Sequence, residues 1–182
     1  MTYTALPTLS RAQVDAFEQE VDAIRKCVMD TVGQPDVDHI RKMISICRAS
    51  EITGRALLQF GIGPVSWVTG VLALANAKVL DNMEIGHNVM HGQYDWTGDP
   101  RLNSQTFKWD IACDEEQWRH SHNVNHHTHT NILGKDRDFG YSLLRLSSEQ
   151  KWKPRHLLQP LANLILAVGF QYGVGSHDLE LG

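Results

Sequence analysis

At 182 residues, with 42% hydrophobic and 21% charged side chains, the chain has the length and composition of one folded domain and not of a disordered protein. Its 17 Lys and Arg against 21 Asp and Glu leave a net charge of −4, without the basic surplus of a nucleic-acid binder, so no nucleic-acid partner is expected. A mean hydropathy of −0.31 excludes a chain made mostly of membrane spans and leaves room for one or two.

Cys27, Cys47 and Cys113 are an odd set without CxxC spacing, which argues against a disulfide framework or zinc ribbon and fits a reducing compartment. The opening MTYTALPTLS has neither a basic start nor an apolar core, so no cleavable signal peptide is expected. Ser10 followed by Gln13 reads as a capping box, and Val14, Phe17, Val21, Ile24 and Val28 then recur at helical steps. This amphipathic helix should stop near Gly33 and Pro35. Val37, Ile40, Ile44 and Cys47 restart the stripe, so residues 1–55 read as N-terminal amphipathic helices.

Residues 56–77 carry no charged side chain. As one helix they would be about 33 Å long, enough for a bilayer core of about 30 Å. Gly61-Ile62-Gly63-Pro64 interrupts the run, however, and Pro64 favours a kink or a re-entrant hairpin. Residues 156–182 contain a second uncharged stretch, 157–176, read as an incomplete second membrane segment. Between them, residues 78–155 hold 10 of the 17 Lys and Arg and residues 1–55 the other 7, so both flanks of the first run compete for the cytoplasm. A re-entrant hairpin at Pro64 would settle that conflict, with 78–155 expected on the cytoplasmic side.

Histidine is the anomaly. Seven of the ten lie between His87 and His129. His87 and His91 share one face of a helix and can converge on one metal, although an HxxxH alone is weak evidence. The second cluster, His120-Ser-His122-Asn-Val-Asn-His126-His127-Thr-His129, changes that. On a helix His122 and His126 lie together while His127 turns about 100° away, which suits two neighbouring metal ions. Packed cores and solvated faces give no reason for five such histidines. Imidazole accepts Zn, Cu, Ni and Fe, so the ligand type does not name the metal. There is no HExxH helix of a zinc peptidase and no cysteine cluster of a deaminase or finger.

The segments Asn82-Met-Glu-Ile-Gly-His87-Asn-Val-Met-His91, Gln117-Trp-Arg-His-Ser-His122-Asn-Val-Asn-His126-His127 and Gly134-Lys-Asp-Arg-Asp138 resemble the membrane fatty acid desaturases, especially the bacterial acyl-lipid or acyl-CoA type. They look like that family's first and second histidine boxes, in order. The resemblance implies an all-α integral membrane helical bundle with a cytoplasmic His-rich di-iron cap, in a bacterial plasma membrane. It implies iron ligation by His87, His91, His122, His126 and His127, with His120 and His129 outside the pattern. It also implies O₂ as co-substrate, an acyl-CoA or acyl-lipid substrate, and a ferredoxin- or cytochrome-type electron donor. Glu84, Asp136 and Asp138 could orient the imidazoles, or could equally be solvated turn and cap residues. The family's third His-rich box has no counterpart before Gly182, where only His156 and His177 remain. A C-terminally truncated chain, inactive alone, is therefore expected. A non-catalytic remnant and a soluble His-rich metal-binding protein or metallohydrolase remain alternatives.

Overall fold

A computed structural model describes residues 8–109 and 111–178, which are helical with no strand among them. Two compact units divide the chain, residues 1–40 and 41–182. In the first, α1 (Arg11–Thr31) starts on the capping box, with the Gln13 amide donating to Ser10 Oγ at 3.3 Å and the Ser10 amide to Gln13 Oε1 at 2.9 Å. Its apolar residues Phe17, Ile24 and Val28 are exposed. A short break precedes α2 (Gln34–Phe60), which takes Pro35 in its first turn, where a missing N–H costs nothing.

In the second unit, the uncharged run 56–77 is not one helix. It is divided at Gly61-Ile62 between the end of α2 and α3 (Gly63–Val79), with Gly63 at φ 84°, a left-handed value suited to glycine. The two helices return on each other: Cys47 Sγ donates to Ala77 O at 3.3 Å and Asn76 Nδ2 to Ser50 Oγ at 3.0 Å. Gly54 permits the close approach, since a Cβ there would lie 2.9 Å from Gly70 O and 2.7 Å from Leu74 Cγ. Phe60, Ile62, Val65 and Trp67 are exposed around the hairpin tip. No single helix among the described residues is long and apolar enough to cross a membrane. One bent pair, Pro154–Val168 with Phe170–His177 at 93°, has the required length and composition.

α3 runs on through a π-helical segment, Leu80–Gly86, into α4 (His87–Met90). A second π segment, Arg119–His126, joins α5 (Glu115–Trp118) to α6 (His127–His129). Between them Asp95 receives the Ser104 amide and hydroxyl, both at 2.7 Å, which folds the connection back. Ile85, Val89, Met90, Leu102, Phe107 and Trp118 are buried in this unit. Arg119 locks the second His-bearing helix to the connection, donating to Ser104 O at 2.7 Å and Phe107 O at 2.9 Å. The described residues close with α7 (Gln159–Val168) and α8 (Phe170–Asp178).

Candidate metal centre

Both histidine boxes sit where an α-helix widens. The His87 amide donates to Asn82 O and the His127 amide to His122 O, each five residues back, the signature of a π turn. Such turns are uncommon and recur at functional sites, and each offsets the following side chains by about 100° from α-helical register. Close packing supports the first. Gly86 lies under the Trp109 ring, where a Cβ would meet Cε3 at 2.6 Å.

The offset brings the two boxes together. His91 Nε2 lies 3.0 Å from His87 Nε2, and the His122 ring centre is 5.0 Å from that of His87 and 5.3 Å from that of His91. His127 stands edge-on to His91, His122 and His126, with centroid distances of 4.7, 5.0 and 5.1 Å. His122 is stacked between Trp118 at 4.4 Å and His126 at 5.0 Å. Asn123 ties the helices, donating to Met90 O at 2.9 Å. All five histidines singled out in the sequence therefore share one cluster. His127 joins this cluster through ring contacts alone: like His120 and His129 it takes no part in the candidate metal-binding groups among the described residues, and His39 is exposed on α2.

Asp136 and Asp138 supply the backing. Asp138 Oδ2 is 3.0 Å from His122 Nδ1, and Asp136 Oδ1 is 2.9 Å from His126 Nδ1. The turn after α6 delivers them: Asn131 takes a left-handed φ of 62° and donates its amide to Asp136 Oδ2 at 2.6 Å, while the Asp138 amide donates to Asp136 Oδ1 at 2.9 Å. Asp136 is thus no solvated cap, since its side chain is wholly buried. Burial alone would raise its pKa, but the bonds from His126, Asn131 and Asp138 bring it below the usual carboxylate value. An ionised carboxylate at Nδ1 holds the proton there and leaves Nε2 as the free donor.

Three of the imidazoles, His87, His91 and His127, also resist protonation. Burial, followed by the neighbouring His87 and His122, pushes His91 down to about 4. His87 is lowered by burial and by His122 and His127. His127 is lowered by burial and then by His122 and His126. Neutral imidazole is the form that binds metal, so these three are set for ligation at neutral pH. One donor triad, His87, His91 and His122, lies within 4.8 Å; a second group of the same reach, His122, His126 and Asp138, is the set in which the carboxylate faces the two Nδ1 atoms. Nitrogen donors with carboxylate support fit iron, among other first-row metals. A cavity of about 100 Å³ adjoins His87 and His122, lined in part by Met83, Trp118, Tyr141 and Phe170. A larger cavity, about 720 Å³, is lined by Arg41, Arg48, Asp81 and Phe107 among others and by no box histidine.

The arrangement defines an all-helical protein whose paired histidine motifs, backed by carboxylates, form a candidate metal centre. The fatty acid desaturase family model matches residues 64–179, and the chain belongs to that family. It is 45% identical over 174 residues to an NADPH-dependent stearoyl-CoA 9-desaturase of Mycobacterium tuberculosis, covering 96% of this chain and 41% of that protein. It is also 34% identical over 86 residues to an sn-1 linoleoyl-lipid 6-desaturase of Synechocystis sp., covering 45% of this chain and 23% of the relative. The chain thus spans about two fifths of the length of the first of these relatives. No solved structure matches it.

Proposed function

We propose that this chain carries the iron-binding part of a membrane desaturase acting on a saturated acyl-CoA, stearoyl-CoA in the first instance, at carbon 9. The convergence of both histidine boxes with two buried or half-buried aspartates carries this reading. The acyl-CoA substrate rests on the similarity to the mycobacterial enzyme, which extends over nearly the whole chain, whereas that to the lipid-linked enzyme covers less than half. By the same likeness the electrons originate from NADPH, and the resemblance of the histidine boxes to the desaturase family supports a ferredoxin- or cytochrome-type protein as their carrier.

His87, His91, His122, His126 and His127 would hold iron. Bound there, a di-iron unit supplies the activation of O₂ that removes two hydrogens from an unactivated acyl segment. The protein's own contribution is orientation. Asp138 and Asp136 fix the rotation of His122 and His126, and the Trp118 face fixes the tilt of His122. Met83, Trp118 and Phe170 offer an apolar wall beside His87 and His122, able to seat methylene groups and exclude water.

The exposed apolar side chains at the α2–α3 tip and along α7, including Leu161, Leu164 and Ile165, support insertion of both regions into a bilayer, and the 10 Lys and Arg of residues 78–155 favour the histidine cluster on its cytoplasmic side. Quenching of Trp67 fluorescence by brominated acyl chains tests the insertion: loss of quenching in Trp67→Phe supports it, and unquenched Trp67 refutes it. The metal reading is tested by anaerobic Fe(II) loading followed by metal analysis. Alanine at any of the five box histidines should lower bound iron, while His39→Ala and His156→Ala should retain it. Equal loss in both groups would mean adventitious binding.

A further inference from the structure

His177 lies outside both boxes, yet the fold carries it to the carboxylate that serves them. Its imidazole on α8 is 13% exposed, and Nε2 is a buried polar atom with no hydrogen-bond partner among the described residues. Buried polar atoms in native proteins are nearly all paired, so an orphan calls for a physical account. This one faces Asp138 Oδ1 at 3.9 Å, while Oδ2 of the same carboxylate lies 3.0 Å from His122 Nδ1. Its position is held from two sides. Tyr141 stands edge-on to the ring, with centroids 5.5 Å apart, and Arg137 Nη2 donates to the His177 carbonyl at 3.3 Å.

The other neighbours of Asp138 sharpen the question. Asp138 Oδ2 is also 3.9 Å from His126 Nδ1, so the carboxylate has a second imidazole within reach. Stacking between Trp118 and His126 restrains the tilt of the His122 ring but not its rotation in plane. Only the bond at Nδ1 sets which way its Nε2 points. A donor on Oδ1 would settle the choice, because it would hold the carboxylate against His122. Closing the gap by under about 1 Å brings His177 into hydrogen-bond range.

We propose that His177 is a positioning residue of the metal centre, whose Nε2–H donates to Asp138 Oδ1 and so fixes His122 with its proton on Nδ1 and its Nε2 free for metal. This rests on the metal-centre reading above. It makes α8 a brace for the second histidine box and places His177 behind the ligands, since the carboxylate lies between it and His122.

The test uses the whole chain, labelled with ¹⁵N-histidine and kept metal-free, followed by Co(II) titration. The expected spectrum shows His177 protonated on Nε2 and His122 protonated on Nδ1. His177→Phe keeps a flat ring against Tyr141 but has no donor. It should mix the His122 tautomers and weaken Co(II) binding about tenfold or more. His177→Gln restores an N–H donor and should bind within about threefold of wild type, on the expectation that a retained outer donor preserves ligand orientation. An unprotonated Nε2 on wild-type His177 overturns the proposal, as do Phe and Gln variants with equal affinities. A wild-type chain that binds no Co(II) would count against the metal reading, and the tautomers, read without metal or mutation, would still decide the contact to Asp138.

Discussion

Replacing Asp136 by asparagine removes a charge and one acceptor without changing shape, at a side chain with no solvent exposure. Three donors converge on its two oxygens. Oδ2 receives the Asn131 amide at 2.6 Å, and Oδ1 receives the Asp138 amide at 2.9 Å and faces His126 Nδ1 at 2.9 Å. An amide has only one oxygen. The less costly orientation keeps it toward Asp138 and His126 and turns the NH₂ against the Asn131 N–H. One buried donor left unpaired costs about 1–3 kcal/mol, and each surviving bond falls from the range of a charged acceptor to that of a neutral one, a loss of roughly 1 kcal/mol. With incomplete additivity, Asp136→Asn should lower the stability of the metal-free chain by about 2–4 kcal/mol. Loss of the charge that holds the His126 proton on Nδ1 should also weaken metal binding by about 10–100-fold. Urea unfolding followed by circular dichroism reads the first effect and Co(II) titration the second, with Glu18→Gln on exposed α1 as a control expected to move stability by less than about 0.5 kcal/mol. If Asp136→Asn matches that control in both measurements, the carboxylate does not organise the centre and the reasoning fails.

Because the folded-state pKa of His91 lies near 4, below the roughly 6.5 of an unfolded histidine, protonation favours the unfolded chain. The stability of the metal-free protein should therefore be full above about pH 6.5 and fall as pH drops toward 4, with a shallower fall in His91→Gln, as measured by urea midpoints at several pH values. Gly86→Ala drives a methyl into the Trp109 ring, at 2.6 Å from Cε3. It should cost about 1–3 kcal/mol by overpacking and lower metal affinity with it, whereas an unchanged melting curve would show that the π segment tolerates the crowding. Gly54→Ala pushes α2 away from Gly70 O and Leu74, with a similar expected loss of about 1–3 kcal/mol but little change in metal affinity, which separates hairpin packing from the centre.

These sites differ in how far the sequence alone reveals them. The capping box at Ser10 and Gln13 and the break near Gly33 were legible because both depend on neighbours three residues apart. The histidine cluster was legible because box spacing carries its own chemistry. Whether 56–77 forms one rod or two is open from sequence, since an uncharged run reports composition and not direction. The structure resolves it through Gly61-Ile62 and the bonds Cys47–Ala77 and Asn76–Ser50, which join residues 26 and 30 positions apart. The π segments were missed altogether. Their hydrogen bonds follow from tertiary packing, such as Gly86 beneath Trp109, and helical periodicity places His127 by counting from an ideal α-helix that is not there.

The aspartates show most clearly why a site is more than its motif. Gly134-Lys-Asp-Arg-Asp138 reads equally well as a solvated turn, and nothing local distinguishes Asp136 from an exposed cap. The distinction arises only when Asn131 adopts φ 62° and the turn folds the carboxylate back under His126, ten residues earlier. Burial then raises the cost of leaving that charge unmatched, so the two amides and the imidazole become obligatory partners. The same requirement orients the ring. A carboxylate that must be satisfied and an imidazole that must present Nε2 constrain each other, and the turn serves the metal site by way of its own hydrogen-bonding needs.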